Sequence, residues 1–179
     1  KGVEVTITEQ TGYPFRGDIR FIINTPEKVR FPVYLRVPGW ADSAIVSFKG
    51  KKFISRTPGG TLILDEKWSD RDEIILSLPM EVRTERRFNN SLSVLRGPLY
   101  FSLRIEKEYK SVKLSYDNFG YKGSVDWEIY PQSDWNYALF ADPSDPGKSF
   151  IVNENAIGNF PFADTGDMTW SADSLKYVK

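Results

Sequence analysis

Phe31-Pro32-Val33-Tyr34-Leu35-Arg36-Val37-Pro38-Gly39-Trp40-Ala41, followed closely by Ala44-Ile45-Val46-Ser47-Phe48, is the stretch that decides the fold. Apolar residues at 31, 33, 35 and 37 alternate with Pro32, Tyr34 and Arg36, and the same two-residue period returns at Ala44, Val46 and Phe48. Successive side chains on a strand point to opposite faces, so each series lines one buried face of a sheet. Pro38-Gly39 ends the first strand, and Pro32 favours an edge, where a missing N–H is harmless. Working outward, Val3, Val5 and Ile7 show the period, as do Ile19, Phe21 and Ile23. Leu62 and Leu64, then Ile74, Leu76 and Leu78, continue it. Lys49-Gly50 has the chemistry of a tight hairpin, and Thr57-Pro58-Gly59-Gly60 reads as a second turn of the same kind. No segment combines a 3.6-residue period with helix caps. The expectation is an all-β fold: an antiparallel β-sandwich, jelly-roll-like, in two small packed β units.

The pattern changes along the chain. Residues 1–88 read as one β-sandwich, and residues 89–179 as a second, incomplete sandwich unit, with the boundary near Asn89-Asn90. In the second part, Arg96-Gly97-Pro98 splits two apolar runs and is expected to break a strand so that the chain crosses toward the second sheet or toward a domain outside this chain. Aromatics then accumulate at Tyr109, Tyr116, Phe119, Tyr121, Trp127, Tyr130, Trp135, Tyr137 and Phe140. Gly, Asn and Asp are frequent from Asp117 onward, which suggests long loops. The chain opens at Lys1, and its final Leu175-Lys176-Tyr177-Val178-Lys179 alternates like an unfinished strand. Both ends read as those of a fragment.

Composition narrows the chemistry. The 179 residues contain 24 Lys plus Arg against 24 Asp plus Glu, so the net charge is zero, and nucleic acid is not an expected partner. Apolar runs fall far below the roughly 20 residues of a membrane span, and no membrane partner is expected. Cysteine and histidine are both absent, which removes disulfides, thiolate nucleophiles, His-assisted triads and the usual zinc ligands. No cofactor, metal site or catalytic residue is expected. Carboxylate, tyrosine and lysine chemistry remain open.

Four groups of residues combine a functional reading with a plainer one. Glu66, Asp72, Glu106, Glu128 and Asp134 are carboxylates of the kind glycosidases use in pairs. Glu128 stands out beside Trp127, although a solvent-facing strand residue next to a core tryptophan explains it as well. Asp142-Pro143-Ser144-Asp145-Pro146-Gly147 and Asp164-Thr165-Gly166-Asp167 offer oxygen ligands suited to calcium, but follow no EF-hand spacing and have ordinary turn composition. Arg83, Arg86 and Arg87, interleaved with Glu81 and Glu85, read as a solvated, internally paired edge. Trp127, Tyr130, Trp135 and Tyr137 are the candidate carbohydrate contacts, since sugars stack apolar C–H faces on exposed rings. The competing role is core or interface packing.

Several phrases occur in a recognisable order. They are Thr11-Gly12-Tyr13-Pro14-Phe15-Arg16-Gly17, Leu35-Arg36-Val37-Pro38-Gly39-Trp40-Ala41, Trp68-Ser69-Asp70-Arg71-Asp72-Glu73-Ile74 and Leu76-Ser77-Leu78-Pro79-Met80. Leu95-Arg96-Gly97-Pro98-Leu99-Tyr100 and Trp135-Asn136-Tyr137-Ala138-Leu139 follow. From about Val3 to about Leu139 this order resembles the region after the catalytic barrel in the β-L-arabinofuranosidase family, glycoside hydrolase family 127, and specifically its C-terminal β-sandwich region. The resemblance implies an (α/α)6 barrel followed by sandwich domains, with zinc-binding cysteines, a glutamate and a nucleophilic cysteine in the barrel. A chain without cysteine receives none of those roles. Two turns depart from the family pattern, with Arg71-Asp72 in place of Gly-Asp and Lys49-Gly50 in place of Asn-Gly.

The implied role is a non-catalytic ancillary β-sandwich region that supports or rims a barrel absent from this chain. Its implied partners are that barrel, carbohydrate and a second copy in a homodimer. The parent would be a bacterial periplasmic or extracellular enzyme. The alternative is a stand-alone carbohydrate-binding module using exposed aromatics. A third reading is a complete jelly-roll glycosidase using two carboxylates. Trp40 is expected to fold over the sandwich edge, and Trp68 to sit in the link before the Ile74 strand and plug its open side.

Overall fold

The computed structural model describes residues 2–112, 126–142 and 144–158. Tyr116, Phe119, Tyr121, Pro143, Asp164-Thr165-Gly166-Asp167 and Leu175–Lys179 lie outside the described residues. By internal contacts, the described residues of 1–101 and 142–158 form one compact unit, and those of 102–141 form another.

Antiparallel strands build the first unit. β1 (Thr6–Thr11), β2 (Asp18–Asn24), β4 (Ala44–Phe48), β5 (Lys51–Ser55) and β7 (Asp72–Ser77) form a five-stranded sheet in the order β1-β2-β7-β4-β5. β3 (Val29–Arg36) and β6 (Thr61–Trp68) form a two-stranded sheet paired from Val29↔Trp68 to Arg36↔Thr61. The two sheets share one core, in which Ile23, Leu35, Val37, Val46, Leu64, Trp68, Ile74, Leu76 and Leu78 are buried. The alternating residues therefore do line one face per strand, and the sandwich expectation holds.

Trp68 sits at the centre of this core. It closes β6 rather than lying in the link before β7, because its pairing with Val29 keeps it in the ladder and its even spacing from Leu62 and Leu64 turns it inward. The ring centroid lies 4.9 Å from that of Phe48 in the facing sheet and 5.7 Å from that of Phe31 beside it. Its indole Nε1–H donates to the Phe31 carbonyl at 2.8 Å, so no polar atom is stranded in the core. Trp40, half-buried, packs against the same cluster from the loop after β3.

Turns fix the strand register around this centre. Lys49 (φ 47°) and Gly50 (φ 75°) both adopt left-handed backbone, as a two-residue hairpin demands. Thr57–Gly60 is a different turn: Gly59 alone has positive φ, and Gly60 N–H donates to Thr57 C=O at 3.0 Å. It carries the chain from β5 in one sheet to β6 in the other, and so pairs no strands. Arg71 adopts φ 62° in the Ser69–Asp72 turn, the conformation that glycine accepts most readily. The Asp72 carboxylate holds this turn by accepting Ser69 N–H at 2.8 Å, and it pairs with Lys49 Nζ at 2.7 Å.

Two sequence expectations are corrected here. β1 begins at Thr6, every residue in it is exposed, and Ile7 is 48% exposed. The narrow facing sheet does not cover this edge of the wider one. Arg96-Gly97-Pro98 does not send the chain to another sheet. Gly97 (φ 56°) turns β9 (Leu92–Arg96) directly back into β10 (Leu99–Phe101), with Leu99 opposite Arg96. β8 (Val82–Arg86) completes that three-stranded sheet, and Asn89 and Asn90 lie in the turn joining β8 to β9. The segment after the short helix α1 (Pro146–Ser149) is tied to the unit through Glu154, which pairs with Arg16 at 3.2 Å and Arg96 at 2.5 Å.

Two surface carboxylates are held below their usual range by arginine hydrogen bonds: Asp65 by Arg30 and Glu73 by Arg20. A carboxyl lowered in the folded state contributes stability that is present above its ordinary pKa and lost as pH falls through the lowered value. Both pairs are exposed, so salt is expected to weaken this acid-side dependence.

Thermal melting checks the core assignment. Trp68→Ala is expected to cost about 3–5 kcal/mol, the usual range for truncating a buried aromatic. Trp40→Ala is expected to cost clearly less, because Trp40 is only half-buried. Equal losses, or a larger loss at Trp40, would contradict the placement of Trp68 at the centre.

Candidate functional site

The second unit contains β11 (Lys107–Val112) and β12 (Asp126–Pro131), paired antiparallel from Lys107↔Pro131 to Val112↔Asp126. This register divides the ribbon into two unlike faces. Lys107, Tyr109, Ser111, Trp127, Ile129 and Pro131 share one. Glu108, Lys110, Glu128 and Tyr130 share the other.

The second face pairs its own polar groups. Tyr130 O–H donates to Glu128 Oε2 at 2.5 Å, and Lys110 Nζ lies 4.8 Å from the Tyr130 ring centroid. Lys110 also approaches Glu108 at 3.8 Å, and Gln132 Nε2 donates to Glu108 at 3.2 Å. The hydrogen bond to Glu128, with the carboxylate charge behind it, raises the Tyr130 phenol above its ordinary pKa.

The first face is apolar and open. Trp127 meets Tyr109 edge-on, with centroids 6.1 Å apart at 90°. Beside them, Leu103, Ile105, Lys107, Ile129, Pro131 and Trp135 line a hollow of about 440 Å³. Trp127 is 50% exposed and Trp135 is 64% exposed. A two-stranded ribbon is marginal alone in water, and an apolar face this open suits a surface that meets something else.

The four residues singled out from the sequence therefore separate. Trp135 lines the hollow with Ile129, which shares its face with Trp127. Tyr130 projects from the opposite face, and exposed Tyr137 is not among the lining residues. Leu103, Ile105 and Ile129 were missed. The Trp127-Ile129-Pro131 alternation was the signal available for Ile129.

Several of the other candidates hold structural roles. Glu128 is exposed and bound to Tyr130, while Asp72 holds a turn. The Asp142 carboxylate accepts from the Ser144 hydroxyl and N–H, which lowers its pKa. Arg83 and Arg87 pair with Glu85, and Arg86 donates to Asn90. Thr25 is the one buried polar residue among those described. No helix of the described residues is long and apolar enough to cross a membrane.

Fold and site together define an antiparallel all-β, sandwich-type module whose most distinctive surface is an exposed aromatic ribbon. Residues 1–80 match the family model described as beta-L-arabinofuranosidase, GH127 middle domain. This corrects the sequence expectation, because the matching region is a middle domain and not a C-terminal one. A crystal structure of a GH127 beta-L-arabinofuranosidase from Geobacillus stearothermophilus T6 has a similar fold, with a TM-score of 0.50 and 19% identity over 73% of this chain and 27% of that one. A second solved structure, described as a glycoside hydrolase, aligns with a TM-score of 0.48 and 17% identity over 79% of this chain and 29% of that one. The chain thus spans less than a third of either solved protein. A comparison with curated proteins finds no match.

Absorbance titration at alkaline pH checks the polar face. Glu128→Gln is expected to bring one tyrosine, Tyr130, back toward the ordinary phenol range. An unchanged tyrosine titration would contradict the Tyr130–Glu128 bond.

Proposed function

We propose that this chain is a non-catalytic ancillary β-sandwich region of a β-L-arabinofuranosidase-like glycoside hydrolase, supporting or rimming a catalytic barrel in the same polypeptide. The observation that carries this reading is the family-model match over residues 1–80, the part of the chain that holds the sandwich. The chemistry of the chain supports it. The buried residues of the sandwich are apolar apart from Thr25, and the carboxylates with described partners are engaged in turns or ion pairs. In this role the apolar face of the β11–β12 ribbon is a packing surface, consistent with the large area that exposed aromatics bury on contact.

A second reading rests on the same ribbon. Trp127 and Trp135, both at least half exposed on the side of the hollow, suit stacking against the C–H face of a sugar ring. In that reading the chain is a carbohydrate-binding module whose contacts are Trp127 and Trp135, while Tyr130, on the opposite face, takes no part at the hollow.

Two assays on the 179-residue chain separate these readings. Aryl arabinofuranosides are expected to remain unhydrolysed, and measurable turnover would overturn the non-catalytic role. Titration with arabinose-containing oligosaccharides, read by tryptophan fluorescence, is expected to give no saturable change. A saturable change that disappears in Trp135→Ala would favour the carbohydrate-binding reading.

A further inference from the structure

Residues 151–158, beyond α1, are all exposed, and none lies in a strand. Their described side-chain ties to the sandwich unit gather at one place. Glu154 offers one carboxylate oxygen to Arg16 Nε at 3.2 Å and the other to Arg96 Nη2 at 2.5 Å. Arg16 Nη2 also donates to the Asn155 carbonyl at 2.7 Å. Ile157 lies over Gly12, so closely that a Cβ at that glycine would stand 2.8 Å from Ile157 Cδ1 and 2.9 Å from Arg16 Cγ. Both arginines come from the sandwich unit itself, Arg16 from the link before β2 and Arg96 from the end of β9.

The Arg96 side chain is only 16% exposed, so the packing around it fixes its position. Among the described residues no other acid pairs with either arginine. Taking Glu154 away leaves two cations directed at one point, and such a pair draws in an anion. Guanidinium forks match the oxygens of carboxylate and of phosphate alike. We propose that Arg16 and Arg96 form an oxyanion clamp that Glu154 fills in cis, making residues 151–158 a displaceable latch over the site. A soluble oxyanion enters the clamp only when the latch is open, so its binding shifts the chain toward the open form. The Glu154 side chain is itself 37% exposed, which gives a competitor a route from solvent. The latch contributes no buried side chain, so it opens while the sandwich stays folded.

Amide hydrogen exchange on the full chain reads the latch directly. Glu154→Gln keeps the side chain's shape and removes its charge. It is expected to speed exchange over residues 151–158 about fivefold or more, with β2 and β7 unchanged. Gly12→Ala is expected to open the same stretch with Glu154 intact, because the added methyl meets Ile157 and Arg16. In the unmodified chain, sodium acetate and sodium phosphate are each expected to speed exchange of the latch more than sodium chloride at equal ionic strength. That comparison separates competition for the clamp from plain screening, and the salt acting at the lower concentration identifies the clamp's oxyanion as carboxylate or phosphate. Unchanged exchange in either variant would overturn the proposal. So would acetate and phosphate acting no more strongly than chloride, or faster exchange spread equally over the sandwich strands.

Discussion

The sandwich depends on one contact, the Trp68 ring held between Phe31 of its own sheet and Phe48 of the facing one. A two-stranded sheet has little area with which to hold a five-stranded partner. A fully buried tryptophan concentrates that area at one point, and its bond to the Phe31 carbonyl fixes the ring orientation. The same end of the sandwich is tied by polar contacts. Asp72 links the β6–β7 turn to Lys49 in the β4–β5 hairpin, and Asp70 accepts Thr25 N–H from the β2–β3 link. These pairs secure the loops around the tryptophan, and the burial of the ring supplies the larger stabilisation.

The sequence made the strands of the sandwich legible because burial imposes a two-residue period on each of them. Phe31-Val33-Leu35, Ala44-Val46-Phe48 and Ile74-Leu76 all appear where that period puts them. Lys49-Gly50 was legible for a similar reason, since its left-handed backbone demands a small set of residues. Sheet partnership was less legible. Thr57–Gly60 has hairpin chemistry but joins two sheets, and Gly97-Pro98 has breaker chemistry but closes a hairpin. Local turn preference specifies backbone angles and leaves open which sheet receives the next strand. The Val3-Val5-Ile7 alternation holds only in part: Val5 packs against the core from just before β1, whereas Ile7 in the edge strand stays largely open.

The aromatic ribbon shows the same limit. Composition drew attention to Trp127, Tyr130, Trp135 and Tyr137, but an odd spacing along β12 places Trp127 and Tyr130 on opposite faces. Only the β11–β12 register shows that one face is apolar and open while the other is satisfied by its own charges. That asymmetry suits a surface that packs against another body, the role proposed for it. The family-model match covers residues 1–80, which hold the sandwich, and none of the ribbon. The proposed enzyme class thus rests on the sandwich, and the proposed contact surface on the ribbon.

Amide hydrogen exchange on the intact chain measures the central claim most directly, because it reads which strands open together. The account predicts that amides of β2, β3, β4, β6 and β7 exchange slowest and with a common opening free energy, while those of β11 and β12 exchange far faster. Protection spread evenly over both units, or greatest in the β11–β12 ribbon, would contradict a fold organised around Trp68.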